Sequence, residues 1–574
     1  LNKNNLLSHT FFLIFVLGLF TLPILNAWFG GFWSPPYLAC YSALFGTIPY
    51  SDAAGYYLGS QDFLTTGLLN EWNSRRPLNA LFYAVRSLIT GQSFHLALLL
   101  QAVICAIAAF ITSLTLRPYF STLGRAFFLL GIVGIYGQVF LPTTLSESLG
   151  LTLGFISCGS FILFMKKPTA ALFALSMFML LVALNTRAGP FFLIPFLMIW
   201  GIYRVSPDRT EQIKLVSFSI LGLLLALGYN KALLFFYTPA DAPGAMHANF
   251  SHTLYGLVCG GKMWSYAQTV FTDFKGTEGE YCQMLYKESW NVFKEKPWLI
   301  ILGMLKNLGS MVNYFIGFLK MVVPFESMVS RILGYGISSS LVFAAIWGLW
   351  KRRQENWALT YFIIAVWLGF IASAAIVWRD GGFRTFAVSV PFIAISFVYG
   401  LGYFVQKFNG FKMDQEAPHS GPLKANILLF AFITLSVFTL HFRASQQEDQ
   451  KVGTLTQTQD GPVIQMSHLD DYAYVTIDPT LKEDTNQLLY RSKERALILM
   501  KKGLIEQEVI HTNLLNSFTQ PTTLVYFYDQ KIRSGRMLVL PQEVFLKATG
   551  PQVLEARFKK VDEFWVYISN HTSS

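Results

Sequence analysis

Eleven long apolar stretches recur along this chain, at 10–28, 95–116, 124–141, 148–165, 169–186, 190–203, 215–236, 332–350, 357–378, 385–405 and 425–441. A helix needs roughly 20 mostly apolar residues to cross a bilayer, so several of these are short, 190–203 most of all. In hydrocarbon each backbone N–H and C=O must find its partner inside the segment, which makes helices of such runs. Composition agrees. With 53% hydrophobic and 13% charged residues, against about 25% charged in ordinary globular chains, a soluble fold of 574 residues would lack the polar surface to cover itself. The fold expected is an α-helical polytopic membrane protein of about eleven transmembrane helices with a small C-terminal α/β soluble domain.

The net charge of +11 has a location. From Arg443 onward there are 15 Lys and Arg against 16 Asp and Glu, so the excess lies in the first 442 residues. Basic residues collect in short cytoplasmic turns. Arg117 and Arg125, Lys166 and Lys167, Arg204 with Arg209 and Lys214, Lys351-Arg352-Arg353, and Lys407 with Lys412 all become cytoplasmic if eleven spans start from an inside N-terminus. A nucleic-acid partner would need a basic soluble face, and the soluble part is neutral. The run Phe11–Trp28 reads as an anchor, because its basic flank is weak and Trp28 suits an interface.

Segment 298–322 is also apolar, but counting it as a span would force Lys351-Arg352-Arg353 outside. Lys306, Ser310, Asn313 and Lys320 recur along one helical face, so it is read as an amphipathic helix in the outer interface. The division expected is 1–442 as the membrane domain, with outer loops 29–94 and 237–297; 443–460 as a polar linker; and 461–574 as the outer domain. In the last, Tyr472–Ile477, Thr523–Tyr528, Met537–Leu540 and Phe564–Ile568 read as strands and Leu488–Leu504 as a helix. The five cysteines lack metal spacing. Cys105 and Cys158 fall in spans as packing residues; Cys40, Cys259 and Cys282 fall in outer loops, where a Cys259–Cys282 disulfide is one option.

Ionisable residues at the outer ends of spans need a partner or a function. Asp52, in Tyr50-Ser51-Asp52-Ala53-Ala54-Gly55-Tyr56-Tyr57, sits among small and aromatic residues, where a partly desolvated carboxylate can serve as a base; it reads equally as a solvated loop residue or helix cap. Arg75 and Arg76 precede Pro77, a helix start, and are anion ligands or snorkel to headgroups. Glu147 opens a span, where Thr144 or Ser146 is a candidate cap. Arg187, Arg379 and Arg384 are outward arginines that suit a phosphate, with the Gly381-Gly382 amides alongside; an Arg379–Asp380 ion pair and a headgroup contact for Arg187 are the plainer readings. His247, Asn249 and Lys262 lie in an aromatic outer loop suited to sugar contacts or to plain packing; two histidines five apart do not make a zinc site.

The strings YSDAAGYY, EWNSRRPLNA, NTRAGPFFLIP, NFSHTLYGLVCGGKMW and RDGGFRTFAVSVPF, with the long first outer loop, the short acidic second turn and the C-terminal domain, resemble the GT-C superfamily of membrane glycosyltransferases over roughly residues 1–440. The resemblance implies a polyprenyl-phosphate-linked sugar donor, a glycan or lipid acceptor, membrane lipid around the site, and a bacterial inner membrane with the C-terminal domain outside. It implies that Asp52 removes the acceptor's proton, that the oxygen attacks the anomeric carbon in line with inversion, and that Arg187, Arg379 or Arg384 stabilises the departing phosphate. Glu147 would orient the acceptor or, in metal-using members, bind a divalent ion; the sequence requires no cofactor. Asp52 is followed by Ala53 where protein O-mannosyltransferases carry adjacent acids, and no WWDYG-like motif is present, which argues against a peptide acceptor. A surface-polysaccharide polymerase or ligase is a related alternative, and a transporter of lipid-linked glycan or solute is one of another class. Transporters favour mid-membrane polar residues and repeated halves, and neither is evident.

Overall fold

Each of the eleven apolar stretches overlaps a helix in the computed structural model. The structure describes residues 3–30, 43–44, 48–49, 52–91, 93–205, 209–239, 248–272, 274–321, 328–409 and 421–440, and strands at 472–476, 522–529, 534–541, 553–561 and 564–570. Among these residues nine helical stretches are long and apolar enough to cross a membrane, Trp298–Ile316 included, and three shorter apolar ones are Ala170–Thr186, Leu193–Val205 and Pro422–Phe438. The chain is a multi-pass helical membrane protein.

The helix Ser146–Lys166 is its central pillar, buried along the whole of its apolar window. Small residues permit this. Gly150 and Gly154 stand four apart, and a Cβ on Gly154 would lie 2.5 Å from the Val388 carbonyl oxygen. Such small-xxx-small faces let backbones approach closely where no hydrophobic effect drives helices together. The irregular 3₁₀ segment Gly382–Ser389 therefore lies directly against the pillar. Gly189 repeats the device, since its Cβ would meet the Thr385 carbonyl oxygen at 2.2 Å.

The basic turns share one end of the bundle. Arg117 meets His9, Arg125 stacks over Phe12, Arg204 donates to the Met165 carbonyl and lies over Trp357, and buried Arg352 stacks on Tyr399 at 4.1 Å. The pillar starts at the opposite end, with Glu147. The middle of Trp298–Ile316 lies at that same end: Lys306 donates to the Gly260 carbonyl and Asn307 to those of Ala375 and Ile376. Met328–Arg352 finishes at the basic end.

Pro77 opens the helix Pro77–Ile89 at its first position, where its missing N–H costs nothing. Cys105 and Cys158 are buried, and Cys259 and Cys282 are both thiols, so the disulfide option is corrected; Cys40 lies outside the described residues. In the C-terminal part five strands pair in the order Tyr472–Thr476, Val553–Val561, Phe564–Asn570, Ser534–Pro541, Thr522–Asp529, with the third and fourth parallel. The expected helix 488–504, linker 443–460 and Lys412 fall outside the described residues. The strand Val553–Val561 was not expected, although Leu554, Ala556 and Phe558 alternate with charged residues there.

Candidate active site

Asp52 is the first residue of the helix Asp52–Thr66, where an acid interacts favourably with the helix dipole. Ala53 and Ala54 are buried, and Thr144 donates to the Ala53 carbonyl at 2.5 Å, tying this helix to the turn before the pillar. Thr144 is thus no cap, and neither is Ser146: the pillar's cap position is Leu145, with no side-chain bond.

Glu147 is fully buried. Its Oε1 accepts from Arg187 Nη2 at 2.5 Å and from Arg384 Nε, and Ser146 Oγ donates to its Oε2 at 3.4 Å. Arg384 then reaches outward, its Nη2 donating to Asp52 Oδ2 at 2.5 Å. The Asp52 side chain is 45% exposed and that of Arg384 17%. The expectation of a carboxylate desolvated by aromatics is therefore corrected: a guanidinium holds Asp52, at the mouth of the site. Tyr136 fixes the backbone of this bridge by donating to the Arg384 carbonyl at 3.1 Å. A π-helical turn, Val133–Gly137, carries that tyrosine, and such turns often accompany functional positions.

Arg76 adds a third guanidinium. It donates to the Tyr56 hydroxyl at 2.8 Å and to Ser146 Oγ at 3.5 Å, while the Tyr56 ring packs on Trp72 at 4.5 Å. Burial, with Arg76 alongside, pulls the Arg187 guanidinium below its ordinary value, and Glu147 opposes this. Arg187 Nε is buried and without a partner among the described residues; a buried donor left unpaired costs free energy that an anion's oxygen would recover. Three arginines face two carboxylates, leaving one positive charge over. This arrangement suits a phosphate.

A divalent ion fits it poorly. Hard cations take several oxygen ligands, whereas the Arg384 guanidinium stands between the carboxylates of Asp52 and Glu147. Among the described residues no three of His, Cys, Asp and Glu gather to hold a metal ion.

Below the charges lies an apolar cavity of about 440 Å³. It extends from Ser121 and Arg352 at the basic end to Tyr136 and Phe383 at the site end, past Gly131, Ile135 and Phe397. Phe383 immediately precedes Arg384, and the Tyr136 hydroxyl bonds the Arg384 carbonyl, so the cavity comes within one residue of the charged cluster without including its side chains.

Other candidate residues lie elsewhere. Arg379 bonds the Gly261 carbonyl, and Asp380 accepts from the Trp264 N–H at 2.7 Å. These contacts dock the segment 248–272 onto the bundle and give Arg379 a positioning role, and it makes no bond to the Asp52 or Glu147 carboxylate. Of the glycine pair, Gly382 has a positive φ of 56°. Arg75 donates to Asn249 Oδ1 at 3.0 Å, and Lys262 lies over Tyr266 at 5.5 Å; none of the three bonds to the carboxylates. Arg187 is buried, so the headgroup contact is corrected as well. His247 falls outside the described residues. Tyr56, Tyr136 and Ser146 were missed. Nothing marks Tyr136 within an apolar run, but the Gly150–Gly154 spacing is a visible signal of close packing onto the pillar.

No protein-family model matches the chain, and no curated protein does. Among solved structures it is similar to the oligosaccharyltransferase AglB of Archaeoglobus fulgidus in complex with an inhibitory peptide and a dolichol-phosphate, at 13% identity and a TM-score of 0.37, over 76% of this chain and 56% of that one. The apo form of the A. fulgidus enzyme gives 14% identity, the same TM-score and the same coverage. The chain thus spans a little over half the length of these proteins. It is also similar to ArnT from Cupriavidus metallidurans bound to undecaprenyl phosphate, at 12% identity and a TM-score of 0.29, over 97% of this chain and 98% of that one.

Proposed function

We propose that this protein transfers a sugar from a polyprenyl-phosphate-linked donor to an acceptor hydroxyl, at the face of the membrane opposite its basic turns. The observation that carries the reading is the nearness of an apolar cavity to a surplus of guanidinium charge: its lining reaches Phe383, next in the chain to Arg384, and Tyr136, whose hydroxyl bonds the Arg384 carbonyl. A ligand matching both would be a long apolar chain headed by phosphate.

In this reading Asp52, exposed at the mouth, accepts the proton of the acceptor hydroxyl. The oxygen forms a bond to the anomeric carbon as the bond from that carbon to the phosphate oxygen breaks. The electron pair leaves on polyprenyl phosphate, where Arg384, Arg187 and Arg76 meet the growing charge with donors already in place. Glu147, buried between two arginines, acts as their counter-ion and positions Arg384. The C-terminal part lies on the same side of a bacterial inner membrane.

Purified protein incubated with labelled polyprenyl-phosphate sugars tests this. Release of polyprenyl phosphate that Asp52→Asn abolishes supports transfer. Passage of intact donor across a vesicle wall without cleavage would replace it with transport.

A further inference from the structure

We propose that the helix Glu278–Glu295 lies on the membrane surface and binds anionic phospholipid headgroups through Lys287, Lys294 and Lys296. One side of the helix is committed to protein. Cys282, Leu285 and Ser289 are buried, and the Tyr281 ring meets that of His252 at 5.3 Å. The other side repeats at helical spacing: Gln283, Tyr286, Lys287, Trp290 and Lys294 are all exposed, Trp290 to 56%. The Lys294 ammonium sits 5.4 Å from the Trp290 ring. Tyrosine and tryptophan beside lysine is the chemistry of a membrane–water boundary. Each has an apolar body and a polar tip, and each is satisfied where hydrocarbon gives way to headgroups.

Continuity with the next helix identifies the occupant. After Pro297 the chain turns into Trp298–Ile316, which buries Gly303, Asn307 and Met311 against the bundle. Its free side carries Trp298, Ile301 and Leu305, each about 60% exposed, an apolar stripe on a helix composed for a bilayer. Trp290 and Trp298 thus flank one corner, and a surface adjoining a lipid-covered stripe at that corner meets lipid as well. At the corner end of the helix three exposed lysines stand against exposed Glu295 and half-buried Glu288, while exposed Glu280 lies about two turns away near its start; this local excess of positive charge favours anionic headgroups over zwitterionic ones.

The test uses the full chain in nanodiscs of mixed anionic and zwitterionic phospholipid. A nitroxide attached at Trp290→Cys should collide more with oxygen than with a water-soluble nickel complex, at headgroup depth, and one at Trp298→Cys should lie deeper. Replacing Lys287, Lys294 and Lys296 together by Gln should lower the anionic lipid retained on detergent extraction by about fivefold or more, with the melting temperature unchanged. A label at 290 that meets the nickel complex as freely as a dissolved nitroxide overturns the proposal. So does one shielded from both relaxants, which would mean that protein covers the face, and so does unchanged lipid retention. None of these readouts involves sugar transfer, so their failure is separate from failure of the proposed reaction.

Discussion

Arg384 Nη2 lies 2.5 Å from Asp52 Oδ2, joining residues 332 positions apart, while the same guanidinium bonds Glu147 through Nε. A planar fork can serve two carboxylates at once, whereas an ammonium is a point charge without that geometry. Arg384→Lys should therefore keep the net charge and lose the bridge. Sugar transfer is expected to fall by about 100-fold or more, read as initial rates of polyprenyl phosphate release. A lysine variant with native rates would remove Arg384 from the mechanism.

The two carboxylates should respond differently to neutralisation. Asp52 is half exposed and Glu147 fully buried. Asp52→Asn should cost about 100-fold or more in rate, the range of a lost general base, with thermal stability nearly unchanged. Glu147→Ala leaves Arg187 and Arg384 without their buried counter-ion, a defect worth about 3–5 kcal/mol. Melting curves of both variants in one detergent would separate the roles.

Close packing at Gly154 sets where Arg384 sits. Leucine there would drive its Cβ into the Val388 carbonyl, 2.5 Å away, and the partner is backbone, which cannot rotate aside. Gly154→Leu should lower stability by at least about 1–3 kcal/mol and reduce transfer by displacing the Gly382–Ser389 segment. Gly131→Ala is the control, since its Cβ meets nothing within 4 Å.

Filling the cavity should discriminate between donors by chain length. Gly131 lines it with open space beside its Cα. Gly131→Trp is expected to raise KM for a long-chain polyprenyl donor by about tenfold, the equivalent of one displaced apolar contact. A short-chain analogue should be affected little. Equal effects on both would indicate that the chain of the donor lies elsewhere.

Much of this molecule could be read from its residues alone. Spans, their helical state and the gathering of Arg117, Arg125, Arg204 and Arg352 at one end follow from local hydropathy and charge, because in a bilayer the backbone must satisfy itself within each segment. That Asp52, Glu147, Arg187 and Arg384 were worth attention was also legible, since ionisable groups at span ends need partners. Which of them meet was not. Arg379 and Arg384 stand five residues apart in one short turn, yet the first docks onto Gly261 and the second bridges the carboxylates. That choice depends on how closely Gly150 and Gly154 let the turn approach the pillar, and on a π-turn that aims Tyr136 at one carbonyl. Hydropathy and periodicity are properties of neighbours in the chain, so they determined the helices; an ion pair spanning 332 positions is a property of packing, and only the tertiary structure decided it.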